Sequence, residues 1–123
     1  MSGHFYPDWL EESAFKSTGL TSERFQFLVA EGRMTRFELP KSIAYMVDMG
    51  DHINIIGYAG SRNDYAATAA KALELGGGMI PAMALIYPKM LDSIMLKVSV
   101  KVLGAAGQFS DKDKILIQIR AVK

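Results

Sequence analysis

Thirteen carboxylates, two histidines and a handful of hydroxyls are the side chains able to do chemistry in this 123-residue sequence. Their spacing argues against most of it. Asp48-Met49-Gly50-Asp51-His52 gathers three potential metal ligands, but a glycine between two acids also describes a turn ahead of a strand, and His4 is the only other histidine. No metal site is expected, and no cofactor. Glu11 and Glu12 are helix neighbours that point apart, so they do not form the facing carboxylates of a glycosidase. No serine or threonine sits in a nucleophile-elbow pattern or beside a base. Gly57-Tyr58-Ala59-Gly60-Ser61 lies between a strand and a helix start, where backbone N–H groups can hold a phosphate. Its glycine spacing matches neither the dinucleotide nor the nucleoside-triphosphate fingerprint, and Asp64 would bring negative charge to the anion's place, so it reads as a turn. The residues favour a non-catalytic protein.

Positive charge near the C-terminus is what remains. Residues 94–103 and 114–122 read as two long strands joined by a loop. Period-two alternation puts Ile94, Leu96, Val98, Val100 and Val102 on one face with Ile115, Ile117, Ile119 and Ala121. The other face carries Lys97, Ser99, Lys101, Lys114, Gln118 and Arg120, so every formal charge on it is positive. Outward residues of a two-stranded ribbon lie within about 5–8 Å of their neighbours, and cations so crowded repel until an anion joins them. A phosphate backbone would relieve that repulsion. Arg24, Arg36 and Lys41 extend the stripe, and bases would stack on Phe109 in the intervening loop, with Tyr58 and Tyr87 behind it. The competing reading is a solvated strand guarded by lysine against edge pairing.

Several elements must position this ribbon. Residues 8–16 form a short helix capped by Asp8, with Trp9 as its packing anchor. Residues 24–39 read as a hairpin, since Phe25, Phe27 and Val29 alternate, Gly32 permits the turn, and Phe37 and Leu39 alternate again before Pro40. A helical stripe through Phe25, Leu28 and Val29 is the alternative there. Residues 41–49 fit either helix or strand, and 52–58 form a third strand. The helix over 62–75 is rich in alanine, with Ala66, Ala69, Ala70 and Ala72 allowing close approach to a sheet, and Gly76-Gly77-Gly78 ends it. Met79 to Tyr87, broken by Pro81, is an edge strand or packed loop.

The resulting fold class is α+β, mostly β. Strands at 24–30, 34–39 and 52–58, a helix at 62–75, and strands at 94–103 and 114–122 match the β-β-β-α-β-β order of the oligonucleotide-binding barrel, an analogy of element order carrying no motif. One domain is expected, with residues 1–20 as a helical arm and 24–122 as a small antiparallel barrel around the central helix. The absence of cysteine excludes disulfides and thiolate metal sites, and no apolar run approaches the roughly 20 residues of a membrane span, so a cytoplasmic protein is expected. Net charge is only +1, but residues 1–51 hold eight acids and five bases while 94–123 hold six bases and two acids, both in the loop. Half the residues are apolar and eight are methionine, and Met95, Leu103, Leu116 and Val122 interrupt the basic face, so self-association is expected.

These features predict a homo-oligomeric protein that binds single-stranded nucleic acid, DNA rather than RNA, without strong sequence preference. Two alternatives stand beside it. One is a hot-dog-like thioester enzyme with Asp64 as its acid or base, and the other is an adaptor whose N-terminal helix docks a partner through Trp9 and Phe15.

Overall fold

The computed structural model describes residues 8–95, 98–104 and 114–121. Among them run α1 (Asp8–Ser17), α2 (Ser22–Ala30), β1 (Met34–Leu39), β2 (Ser42–Asp48), β3 (Ile53–Gly60), α3 (Tyr65–Leu75), β4 (Ala82–Ile86), α4 (Leu91–Met95), β5 (Val98–Gly104) and β6 (Ile115–Ala121). The protein is α+β: its described residues form a six-stranded sheet in the order β1-β2-β3-β4-β6-β5 with four helices. The expected antiparallel barrel is corrected on two counts. β1 and β5 remain at opposite edges of an open sheet, and β3 pairs with β4 in parallel.

Alternation assigns the two sheet faces. Ala44, Met46, Ile53, Ile55, Ala84, Ile117 and Ile119 pack under α3 and α4, where Tyr65, Ala69, Ala72 and Ile94 complete the main core. Ala66 is also buried, whereas Ala70 points to solvent. The opposite face receives α1 and α2, whose Leu10, Ala14, Phe15 and Phe25 meet Ile43, Tyr45, Ala59 and Ile56. β2 therefore has helices on both sides and is buried from Ser42 through Val47. α1 lies over β2 and β3, and among the described residues no helix crosses the same face of β4, β6 and β5.

The expected first strand of the 24–39 hairpin is a helix. Thr21 Oγ1 accepts a hydrogen bond from the Arg24 N–H at 3.1 Å, capping α2. The helical stripe then buries Leu28 and sets Phe25 edge-on against both Phe15 and Tyr45, while Phe27 and Val29, which a strand would have placed beside Phe25, stay exposed. Two further expectations change and one open choice is settled. β4 is central rather than an edge, Ile94 belongs to α4 and not to the terminal ribbon, and residues 42–48 are a strand. Pro81 does not interrupt β4 because it precedes it, offering only its carbonyl to the Ile53 N–H at 3.0 Å. No helix among the described residues is long and apolar enough to cross a membrane.

Candidate nucleic-acid interface

The register of the last two strands builds the site. In β5 and β6, Val98 faces Ala121 and Val100 faces Ile119 on the core side, so Ser99 opposite Arg120 and Lys101 opposite Gln118 turn the other way. β4 continues the surface with Met83 opposite Gln118 and Leu85 opposite Leu116. Lys114 precedes β6 by one residue and carries the alternation one step further. The uncovered half-face thus holds Lys101, Lys114 and Arg120, with no carboxylate among the described residues of its strands.

Lys101 and Arg120 are exposed, and no described carboxylate pairs with either. Arg120 Nε donates weakly to Gln118 Oε1 at 3.4 Å. Lys114 is half-buried, its Nζ 5.3 Å from the centre of the Tyr87 ring, and Lys89 Nζ lies 5.7 Å from the same ring. Arg120 lies six positions beyond Lys114 along β6, a span of about 20 Å. That row is long enough for several phosphates of an extended strand.

Of the side chains expected at the site, Ser99, Lys101, Lys114, Gln118 and Arg120 are brought together. Lys97 and Phe109 lie outside the described residues, as does Val122. Arg24 sits on α2, its guanidinium 5.1 Å above the Phe27 ring and remote from the ribbon in topology. Arg36 is on β1, at the far edge of the sheet beyond α1. There Glu11 takes it in a two-pronged ion pair of 2.8 and 3.2 Å, and Glu38 adds a contact of 3.3 Å. Tyr87, expected as a ring behind Phe109, borders the site, and Lys89 is the addition that the ribbon alone could not reveal. The series Met83, Leu85, Tyr87 becomes an outward row only once β4 is known to pair with β6.

The other sequence candidates are occupied within the fold. Asp48 accepts from the Gly50 N–H at 2.8 Å, and His52 Nδ1 lies 2.7 Å from Asp51, the contacts of a turn. The proposed acid or base, Asp64, accepts a 2.6 Å hydrogen bond from the buried Ser42 hydroxyl, whose oxygen in turn accepts from the Ser61 N–H at 3.0 Å. Tyr58 OH donates to the Ser61 carbonyl and lies 3.2 Å from Ser42 Oγ. This knot ties β2 and β3 to the start of α3, and it takes the Ser61 N–H that a phosphate would have needed. Trp9 is not a packing anchor, being 65% exposed on α1, while Phe15 is held against Phe25 and is not part of a free docking face.

Burial also governs the tyrosines. Tyr45, buried and hydrogen-bonded to Glu11, is pushed up to about 12, and Tyr58 reaches about 12 mainly by burial, with Asp64 adding to the rise. Tyr65, packed edge-on against Tyr58 at 4.7 Å, is raised further by complete burial. The folded chain keeps these phenols neutral above 10.0, where they would ionise once unfolded. Their contribution to stability is therefore complete below pH 10 and is lost as pH climbs through about 12. In an alkaline titration, phenolate absorbance from these three rings is expected to rise together with loss of the near-ultraviolet circular dichroism signal. Their ionisation at ordinary values in a fully folded chain would contradict this burial.

No protein-family profile matches the chain, and no curated protein or solved structure is significantly similar to it.

Proposed function

We propose that the protein binds single-stranded nucleic acid without strong sequence preference, through the uncovered face of β4, β6 and β5. One observation carries the reading: the charged side chains that the described strands turn to that face, Lys101, Lys114 and Arg120, are all positive. Leu116 lies between Lys114 and Gln118, and Met83 and Leu85 flank that row on β4, offering apolar ground for bases, while Ser99 and Gln118 add hydrogen-bonding groups. Three phosphate contacts on a single strand imply a salt slope of about −2, from roughly −0.7 per contact. A labelled oligonucleotide is then expected to bind about 20-fold more weakly when salt rises from ~50 to ~200 mM, and more tightly as a single strand than as a duplex. Binding that ignores salt, or that is equal for both forms, would sink the proposal.

A second reading is that the same face packs on a second copy of the chain, favoured by Leu85, which is 42% exposed. Mass in solution, measured with and without oligonucleotide, separates the two.

A further inference from the structure

The parallel pairing of β3 with β4 lasts only three residue pairs, Ile53 with Ala82, Asn54 with Met83 and Ile55 with Ala84. Beyond it β3 continues to Gly60 along β2, and β4 continues to Ile86 along β6, so the two middle strands part. Ser17, at the end of α1, enters the gap. Its Oγ accepts from the Tyr58 N–H at 2.9 Å, a backbone donor that strand pairing has left behind, and donates to the Ala14 carbonyl at 2.7 Å. α1 can come this close because residue 57 is glycine: a Cβ there would stand 2.5 Å from Thr18 Cγ2 and 2.6 Å from the Ala14 carbonyl oxygen.

The parting leaves a cleft of about 120 Å³ between Gly57 and Tyr58 on one wall and Leu85 and Tyr87 on the other, with Met90 behind and Lys114 at the side. A groove of about 270 Å³ adjoins it past Asn54 and Leu116, so the cleft opens onto the basic half-face. An enclosed apolar cavity of about 150 Å³ holds one benzene ring, so this open cleft takes a base only in part, and a one-ring base buries the larger share of itself there than a fused pair does. Tyr87, 40% exposed, supplies a flat wall, and the ammonium groups of Lys114 and Lys89 already lie close to that ring. A base arriving there stacks on the same ring, and the ammonium groups beside it lie near the position of that nucleotide's phosphate.

We infer that the split between β3 and β4 is a subsite for one pyrimidine base of the bound strand, stacked on Tyr87 with its phosphate held by Lys114. This rests on the proposed binding of single-stranded nucleic acid and adds a preference within it. Homopolymers of equal length are the probes, oligo-dT and oligo-dC against oligo-dA. Adenine's own stacking lowers oligo-dA binding to any protein, so the readout is the change in the dT-to-dA affinity ratio between variants. Tyr87→Leu is expected to lower that ratio on the order of 10-fold, and Tyr87→Phe to leave it unchanged, since stacking needs the ring and not the hydroxyl. Leu85→Phe, which fills the cleft from its exposed rim, should lower the ratio in the same way and guards against a folding defect at Tyr87. Lys101→Glu with Arg120→Glu should weaken all the homopolymers alike and keep the ratio. A ratio unmoved by both Tyr87→Leu and Leu85→Phe overturns the subsite while leaving the binding face intact. No binding of any oligonucleotide, or none that responds to Lys101 and Arg120, overturns both.

Discussion

A chain carrying Lys101→Glu and Arg120→Glu is expected to bind a single-stranded oligonucleotide on the order of 100-fold more weakly at low salt, from two charge-assisted contacts of about 1.5 kcal/mol each. The two side chains sit on adjacent strands and neighbouring register positions, since Lys101 faces Gln118 and Arg120 follows Gln118 by two residues. Reversing both therefore turns one end of the face from positive to negative, and Lys114 is the cation left at the other end of the row. The salt dependence must change with the affinity. With about one phosphate contact left the slope falls from about −2 to about −0.7, and raising salt fourfold then weakens binding only about 3-fold. Arg24→Glu makes the control, because that side chain stacks on Phe27 in α2 and belongs to no strand of the face. Its effect is expected to stay within about 2-fold, the scale of a distant surface charge. Equal losses from Arg24→Glu and from the double variant would show that net charge, and not this face, attracts the strand. Affinity is read by fluorescence anisotropy at two salt concentrations.

How much of this could be read beforehand depends on how each strand is buried. β6 and β5 have one face on the core and one open, so period-two alternation assigned the faces of Val98 to Lys101 and of Lys114 to Arg120. It failed at Val102, which is exposed beside a bulge, and it could not give the pairings of Ser99 with Arg120 and Lys101 with Gln118. β2 has a helix on each side and loses all polar punctuation between Ile43 and Val47, which is why residues 41–49 read equally as helix or strand. In α2 the aromatics at 25 and 27 alternate, and only tertiary contacts decide. Phe25 finds Phe15 and Tyr45, and Phe27 finds nothing deeper than the Arg24 guanidinium. Ile94 continued the alternation of β5 by coincidence, since the same residue is the buried contact of α4. The barrel failed for want of β4. Once Ala82–Ile86 takes a central place between β3 and β6, the strands on either side of it cannot meet, and the sheet stays open with β1 and β5 at its edges.

The open face and the Tyr87 cleft share one cause. α1 is too short to span the sheet: it covers β2 and β3, held at one end by Glu11 on Arg36 and Tyr45, and stops at Ser17 where β3 leaves β4. Past that point the alternation changes from apolar pairs facing α1 to leucine, lysine and arginine facing outward. The sequence shows the outward residues but holds no sign of where α1 ends on the sheet. That boundary depends on Gly57, and only the close contact with Ala14 and Thr18 reveals why a side chain is missing there.

Gly60→Ala is expected to remove about 3–5 kcal/mol of stability, a large part of the 5–15 kcal/mol typical of a folded domain. Two costs combine. The residue has φ +130, a region that side chains rarely enter, at about 1–3 kcal/mol. The added Cβ would also stand 2.4 Å from the Lys41 carbonyl oxygen and from Ser42 Oγ, and 2.5 Å from Ser42 Cα, so the backbone itself would have to move, at a further 1–3 kcal/mol or roughly so. Moving Ser42 disturbs the hydroxyl that joins Asp64 to the Ser61 N–H, leaving buried polar groups without partners. Gly32→Ala is the matched comparison. Its φ is also positive, +72, but nothing lies within 4 Å of the Cβ position, so only the backbone term of about 1 kcal/mol applies. Urea unfolding of the two variants, with midpoints compared at equal slope, measures the packing term together with the extra backbone cost of φ +130 over φ +72. Equal midpoints would mean that β2, β3 and the start of α3 yield to the new methyl, and that the Ser42 knot is not the rigid junction its hydrogen bonds describe.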